Sequence, residues 1–269
     1  MAYQSTVTSV QRRLVTLKGA SEGTRSIPEE VAVAFAYGSA SFAVMMATPD
    51  DFEDFASGFS LTEGIIEDIS EITSMEVVPH EQGVEVRMTL HQDRDQRLLS
   101  RRRQLAGPAG CGLCGIESLE AAVRPVRHIT TELHVDVPSV FKALVQCREN
   151  QRLNALTRAV HAAGFWSVEE KRLVAVREDV GRHNALDKLA GALARARARA
   201  EQGFIVISSR LSIELVQKAA MIGCPMLVAV SAPTNFALRA AQAAGMTLIA
   251  VAREDSFEVF THPERVRPR

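Results

Sequence analysis

Apolar and polar positions change their rhythm along this chain, and the change divides it. Val84, Val86, Met88 and Leu90 alternate with Glu85, Arg87, Thr89 and His91, a period of two that predicts a strand with one buried face. Upstream, Phe52, Phe55 and Phe59 recur at helical spacing, and Thr48-Pro49-Asp50-Asp51 before them supplies a cap, a proline and early acids for a helix start. Val31 to about Leu90 therefore reads as strand, strand, helix and a meander. Residues 1 to about 27 are polar, with a glycine-bearing stretch from Lys18 to Gly23, and are expected to be a flexible N-terminus. From about Pro138 short apolar runs alternate with helical patterns. Val140, Phe141, Leu144 and Cys147 share a helix face. Strands are expected near Phe165–Val168, Leu173–Val176, Phe204–Ile207, Met226–Val230 and Leu248–Val251, with helices from about Asn184, Leu211 and Asn235 between them.

The later strands are continuously apolar, as strands covered on both faces are. The fold class is therefore α/β, with a mainly parallel sheet in residues 138–269 and a smaller α+β domain over 28–137. In such sheets ligands bind beyond the carboxyl ends of the strands, where helix N-termini present free amides. Polar phrases stand at those ends here: Arg177, Arg182, His183 and Asn184 after Val176; Ser208, Ser209 and Arg210 after Ile207; Ser231 to Thr234 after Val230; and Ala252, Arg253, Glu254, Asp255, Ser256 and Phe257 after Val251. Arginines, hydroxyls and amides on one edge suit a phosphate-bearing ligand. Taken singly, Ser231-Ala232-Pro233-Thr234 and Ser208-Ser209 read equally well as helix caps. His183 can equally be a structural histidine at a helix start, although its charged company favours a site.

Composition narrows the partners. With 269 residues, 46% apolar, and a formal net charge of −1, neither nucleic acid nor a membrane surface is called for. No apolar run reaches the roughly 20 residues of a spanning helix. Four cysteines at this length make no disulfide framework, and the N-terminal residues lack signal-peptide character, which together point to the reducing cytoplasm. Cys147 and Cys224 sit among apolar residues and read as core. Cys111 and Cys114 differ, because they lie three apart on a loop with Gly110, Gly112 and Gly115, just before a predicted helix at Ile116–Val123. A thiol near a helix N-terminus has a lowered pKa and raised reactivity. That pair predicts sulfur, metal or electron chemistry.

Three phrases in order, Gly110-Cys111-Gly112-Leu113-Cys114-Gly115, Arg177-Glu178-Asp179-Val180-Gly181-Arg182-His183-Asn184-Ala185-Leu186-Asp187-Lys188 and Ser231-Ala232-Pro233-Thr234, resemble the formate dehydrogenase accessory sulfurtransferase family, FdhD. Shorter matches at Leu61–Ile66, Ser209–Ser212 with Glu214 and Lys218, Gly245–Leu248 and Thr261–Arg265 extend the resemblance from about Val31 to Arg265. It implies a cytoplasmic homodimer with a cytidine-deaminase-like C-terminal domain. Such a protein takes sulfur from a cysteine desulfurase as a cysteine persulfide. It then passes the sulfur to the molybdenum bis-guanine-dinucleotide cofactor of formate dehydrogenase, whose nucleotide GDP would mimic. Cys111 and Cys114 would be the catalytic thiols, with no resident metal. The strand-end residues above, together with His161, would hold the dinucleotide. The family usually has two glycines where this chain has Arg158-Ala159, which puts the backbone before His161 in question.

Other readings of the thiol pair are a structural zinc module, which would need ligands beyond a lone Cys-x-x-Cys, and a thiol-disulfide redox module. A zinc deaminase would need His-x-Glu and Pro-Cys-x-x-Cys, and the chain contains neither.

Overall fold

The computed structural model describes residues 5–38, 40–91 and 126–268. Cys111, Cys114, the arginines at 101–103 and the helix predicted behind the thiols lie outside those residues.

The N-terminus departs from expectation. Instead of a flexible lead-in, β1 (Val7–Thr16) and β2 (Gly19–Pro28) pair along their whole length as an antiparallel hairpin. Thr, Val and Leu in β1 favour extended backbone, and Gly19, at φ 140°, supplies the turn conformation that other residues resist. The hairpin stays mostly exposed, which is why its polar composition read as disorder. At its base Arg25 donates to the Thr157 carbonyl at 3.2 Å.

Four strands follow as one sheet, in the order β4 (Ala40–Ala47), β3 (Val31–Tyr37), β6 (Gly83–Leu90), β5 (Ile72–His80). One face of it packs on α1 (Phe52–Thr62). Val33, Phe35, Val86 and Met88 meet Phe52, Phe55 and Phe59 in a single core, as the two periodicities predicted. The helix begins later than its sequence signal. Asp51 precedes it in a left-handed conformation without a side-chain cap. Thr48 instead accepts from the Val180 amide at 3.1 Å, so tertiary contact took the residue that local pattern offered as a cap.

The larger sheet has the order β13 (Glu258–Val259), β12 (Thr247–Ala250), β11 (Met226–Ala229), β10 (Gly203–Ile207), β8 (His161–Ser167), β9 (Arg172–Asp179). It is mixed rather than mainly parallel. Only β10–β11 and β11–β12 pair in parallel, while β8–β9, β8–β10 and β12–β13 are antiparallel. The cause lies in chain length: β8 and β9 are joined by a short turn at Glu169–Lys171, whereas a parallel connection needs a crossover of about a dozen residues. Because β8 alone is reversed among the central strands, β9, β10, β11 and β12 still run the same way and end on one edge.

The helices are α2 (Val137–Glu149), α3 (Arg152–Thr157), α4 (Arg182–Arg195), α5 (Ile213–Met221) and α6 (Asn235–Ala244). Among the described residues no helix is long and apolar enough to cross a membrane. Helix α1 crosses α4 at contact distance through glycines. A Cβ on Gly58 would lie 1.7 Å from the Asp187 carbonyl oxygen, and one on Gly191 would lie 1.8 Å from that of Asp54. Two buried lysines brace the crossing. Lys188 pairs with Asp179 at 2.7 Å and donates to the Thr48 carbonyl at 3.0 Å; Lys218 reaches Asp187 at 2.9 Å and Thr62 at 3.1 Å. Leaving either carboxylate unpaired there would cost several kcal/mol, on the order of 3–5.

Candidate functional site

The common edge of β9 to β12 brings the predicted segments together. After β12 the chain turns at Val251, whose φ of 51° is a left-handed conformation that a β-branched residue avoids. The strain aims Ala252 to Phe257 back across the strand ends. There the Arg253 amide donates to the Ser256 carbonyl at 2.7 Å, closing a tight loop. The Arg253 guanidinium donates to the carbonyls of Val230 at 2.6 Å and Ala252 at 3.0 Å, which fixes it over the end of β11. Glu254 pairs with Arg148 on α2, and the Phe257 ring rests 5.2 Å from that of Phe141, also on α2.

Between this loop and α2 lies a cavity of about 470 Å³, with one wall of Phe141, Leu144 and Val145 and a rim of Ser208, Arg148, Arg253 and Glu254. Its size lies in the ordinary range for small-molecule sites, about 300–1,000 Å³. Val145 and Val230, 38% and 39% exposed, leave apolar surface open to an occupant. The Ser208 hydroxyl accepts from the Ala162 amide at 2.8 Å and keeps its own proton to donate. An apolar slot whose mouth carries two guanidinium groups, Arg148 paired with Glu254 and Arg253, and a hydroxyl can take a flat ring together with an anionic group that competes with Glu254 for Arg148.

A second polar group forms where α4 and α5 begin. Arg182 Nε, His183 Nε2, Ser212 Oγ and Glu214 Oε2 are buried with no hydrogen-bond partner among the described residues. His183 Nε2 stands 3.9 Å from Glu214 Oε2. Burial, reinforced by Arg182 and Lys218 and opposed by Glu214 and Glu63, lowers the His183 pKa to about 4, so the ring is neutral at pH 7. His161 begins β8 opposite Asp179. Burial, then Arg182, lowers its pKa against the pull of Asp179.

Not every predicted ligand faces the cavity. Arg177 is held by Asp54 at 2.6 Å and Asp51 at 3.3 Å, and Asn184 by Asp179 at 2.9 Å and the Met46 carbonyl at 2.8 Å. Both join the two sheets instead of presenting free donors at the edge. Thr234 caps α6 through the Ala237 amide at 3.2 Å, the capping alternative at that position. The Ser231 carbonyl accepts from Val251 at 3.3 Å, Ser209 is turned onto the Arg210 carbonyl at 3.1 Å, and Ser256 onto Asp255 at 3.0 Å. Arg210 is exposed. Sequence reasoning passed over the apolar wall, since Phe141 and Leu144 read as an ordinary buried helix face, and it gave Ser212 and Glu214 no role.

Residues 28–267 match the FdhD/NarQ family. The chain belongs to that family. Similar curated proteins include the "Sulfur carrier protein FdhD" of Agrobacterium fabrum, 53% identical with 91% of this chain and 90% of that protein covered. The protein of the same name from Brucella abortus is 47% identical, with 93% of each covered. The crystal structure of a formate dehydrogenase accessory protein from Desulfotalea psychrophila shares the fold, with a TM-score of 0.78 at 24% identity over 98% of this chain and 100% of that one. Arg158 is one of the two residues that the resemblance put in question before His161. Arg158 ends α3 with φ 55°, so the glycine-like backbone turn is kept although the side chain opposes it.

Proposed function

We propose that this chain is a sulfur carrier serving formate dehydrogenase. Four cysteines are present, and burial pushes two of them, Cys147 and Cys224, up to about 12, which leaves them thiols at neutral pH and poor nucleophiles. The reactive role falls to Cys111 and Cys114, in a chain 53% identical to a protein named a sulfur carrier. That elimination carries the reading.

The chemistry runs as thiol exchange. A thiolate at Cys111 or Cys114 attacks the terminal sulfur of a cysteine desulfurase persulfide, forming a new persulfide and releasing the desulfurase thiolate. The second thiolate then attacks the inner sulfur, closing a Cys111–Cys114 disulfide and expelling hydrosulfide. The hydrosulfide is delivered to the molybdenum bis-guanine-dinucleotide substrate, and a cellular dithiol reductant restores the pair. Each turn makes the protein a sulfurtransferase, working as a homodimer in the cytoplasm. The cavity beside Arg253 fits one nucleotide arm of the substrate, with the ring against Phe141 and Leu144 and phosphate near Arg148, Arg253 and Ser208. The six-stranded unit is the part we liken to a cytidine deaminase.

Intact-mass measurement after incubation with a cysteine desulfurase and cysteine tests the proposal. One added sulfur is expected on at least one of the single variants Cys111→Ser and Cys114→Ser, which keep an attacking thiol but cannot close the disulfide, and none on the double variant. Sulfur mapped to Cys147 or Cys224, or absent from both single variants, would sink it.

A further inference from the structure

We infer that Gln151 and Asn154 read the base of the nucleotide arm, selecting a purine with a lactam edge, a ring carbonyl beside a ring N–H, over an adenine. The inference rests on the nucleotide reading of the cavity beside Arg253. Both side chains line that cavity together with Phe141, Leu144 and Ser208. Leu144, Cys147 and Gln151 succeed one another at helical spacing along α2 and the turn that ends it, and Asn154 follows on α3. The wall therefore passes from apolar side chains, which can cover the face of a ring, to two carboxamides, which can meet its edge.

Neither amide is used up by the fold. Asn154 Nδ2 donates to Gln151 Oε1 at 3.0 Å, and this bond orients each group against the other. Gln151 Nε2 has one partner among the described residues, the sulfur of Cys147 at 4.0 Å, and a thiol is a weak acceptor. Asn154 Oδ1 accepts no hydrogen bond among the described residues, although Glu178 holds the Asn154 main chain through its amide at 2.8 Å. Gln151 stands at the N-cap of α3 yet makes no side-chain cap bond, so capping does not account for it.

After their mutual bond the pair offers donors from Gln151 Nε2 and the second N–H of Asn154 Nδ2, against one oxygen without a hydrogen bond, Asn154 Oδ1. The lactam edge of guanine complements that set. Its O6 carries two lone pairs for the donors, and its ring N–H reaches Oδ1. Adenine inverts the pattern, because its 6-amino group brings N–H donors where O6 brought an acceptor, and its ring nitrogen brings a lone pair to Oδ1. A site built to hydrogen-bond one edge rejects the other by leaving its own polar groups unpaired. The rest of the cavity has no such power of choice. Purines of equal size cover Phe141 and Leu144 equally, while Arg148 and Arg253 respond to the phosphate.

Calorimetric titration of the full-length chain with GDP, IDP and ADP tests the inference. Wild type is expected to bind GDP about tenfold or more tighter than ADP. IDP keeps the lactam edge without the 2-amino group and should stay close to GDP. Asn154→Asp replaces the amide donor with a second oxygen, which repels O6 and accepts from the adenine amino group, so the preference for GDP should fall by about tenfold or more. Gln151→Leu should also lower the preference, with unchanged far-ultraviolet dichroism. Equal affinity of wild type for GDP and ADP, or an undiminished preference in either folded variant, would overturn the inference and leave the nucleotide reading standing. IDP binding as weakly as ADP would overturn it as well, by assigning the choice to the 2-amino group. A wild-type chain that binds none of the three would remove both the inference and the nucleotide reading, while the sulfur-carrier reading keeps its own mass test.

Discussion

At the scale of single residues, His183 shows how burial converts an ordinary side chain into a site. Its ring is held neutral, with a pKa lowered from 6.5 to about 4, first by burial and then by Arg182 and Lys218. The folded state therefore binds this proton less readily than the unfolded chain. Stability from this group is complete above about pH 6.5 and declines as pH falls toward 4, by roughly 1.4 kcal/mol per pH unit. Urea unfolding of wild type from pH 7 to 4.5 should show that decline, and His183→Gln should lose this part of the slope. Equal slopes in the two proteins would mean that His183 is as well solvated as in the unfolded chain. Legibility differed among its neighbours: His183 was visible from its charged company, whereas Glu214 entered only as part of the family resemblance, because a helix carboxylate has no sequence signal for the residue it will face.

At the scale of elements, the end of α3 carries a conflict between local preference and required shape. Arg158 terminates the helix in a left-handed conformation, its amide bonded to the Asn154 carbonyl at 2.8 Å. The turn delivers the chain into β8, so that His161 meets Asp179 and Ser208 meets Ala162. Glycine would relieve a cost of roughly 1–2 kcal/mol, offset by about 0.4–1 kcal/mol from the greater freedom of the unfolded chain. Arg158→Gly should therefore raise stability by about 0.5–1 kcal/mol. A lowered thermal midpoint would show that the arginine side chain contributes more than its backbone costs. Element boundaries elsewhere followed the same lesson. Periodicity found α1 and its three phenylalanines, but the first residue moved from Pro49 to Phe52 because Thr48 is bonded to Asp179 and Val180 in the second half of the molecule.

At the scale of the whole molecule, two sheets meet through α1 and α4, and the strand-end arginines divide their work accordingly. Arg177 fastens α1 to β9, whereas Arg253 stands over the cavity. Calorimetric titration with GDP should therefore separate them. Arg253→Ala should weaken binding about tenfold or more, the worth of one charge-assisted hydrogen bond. Arg177→Gln should lower the melting temperature and leave the affinity near that of wild type. Equal affinity for wild type and Arg253→Ala would remove Arg253 from the nucleotide site; weakened binding by Arg177→Gln would return Arg177 to it.

The sequence by itself determined the elements whose cause is local. Apolar runs at Phe204–Ile207, Met226–Val230 and Leu248–Val251 became strands buried on both faces, and the polar phrases behind them became one edge, because side-chain period and chain direction follow from neighbouring residues. Cys147 and Cys224 are buried as their apolar surroundings required. Tertiary structure decided what depends on contacts distant in the chain. It made the sheet mixed through the β8–β9 turn, and it converted a polar N-terminus into a paired hairpin. It drew Arg177 and Asn184 from the ligand edge into the joint between sheets, and it turned one face of α2 into a cavity wall. Burial and charge pairing are properties of the assembled core, and a residue acquires them only from partners that the fold brings within reach.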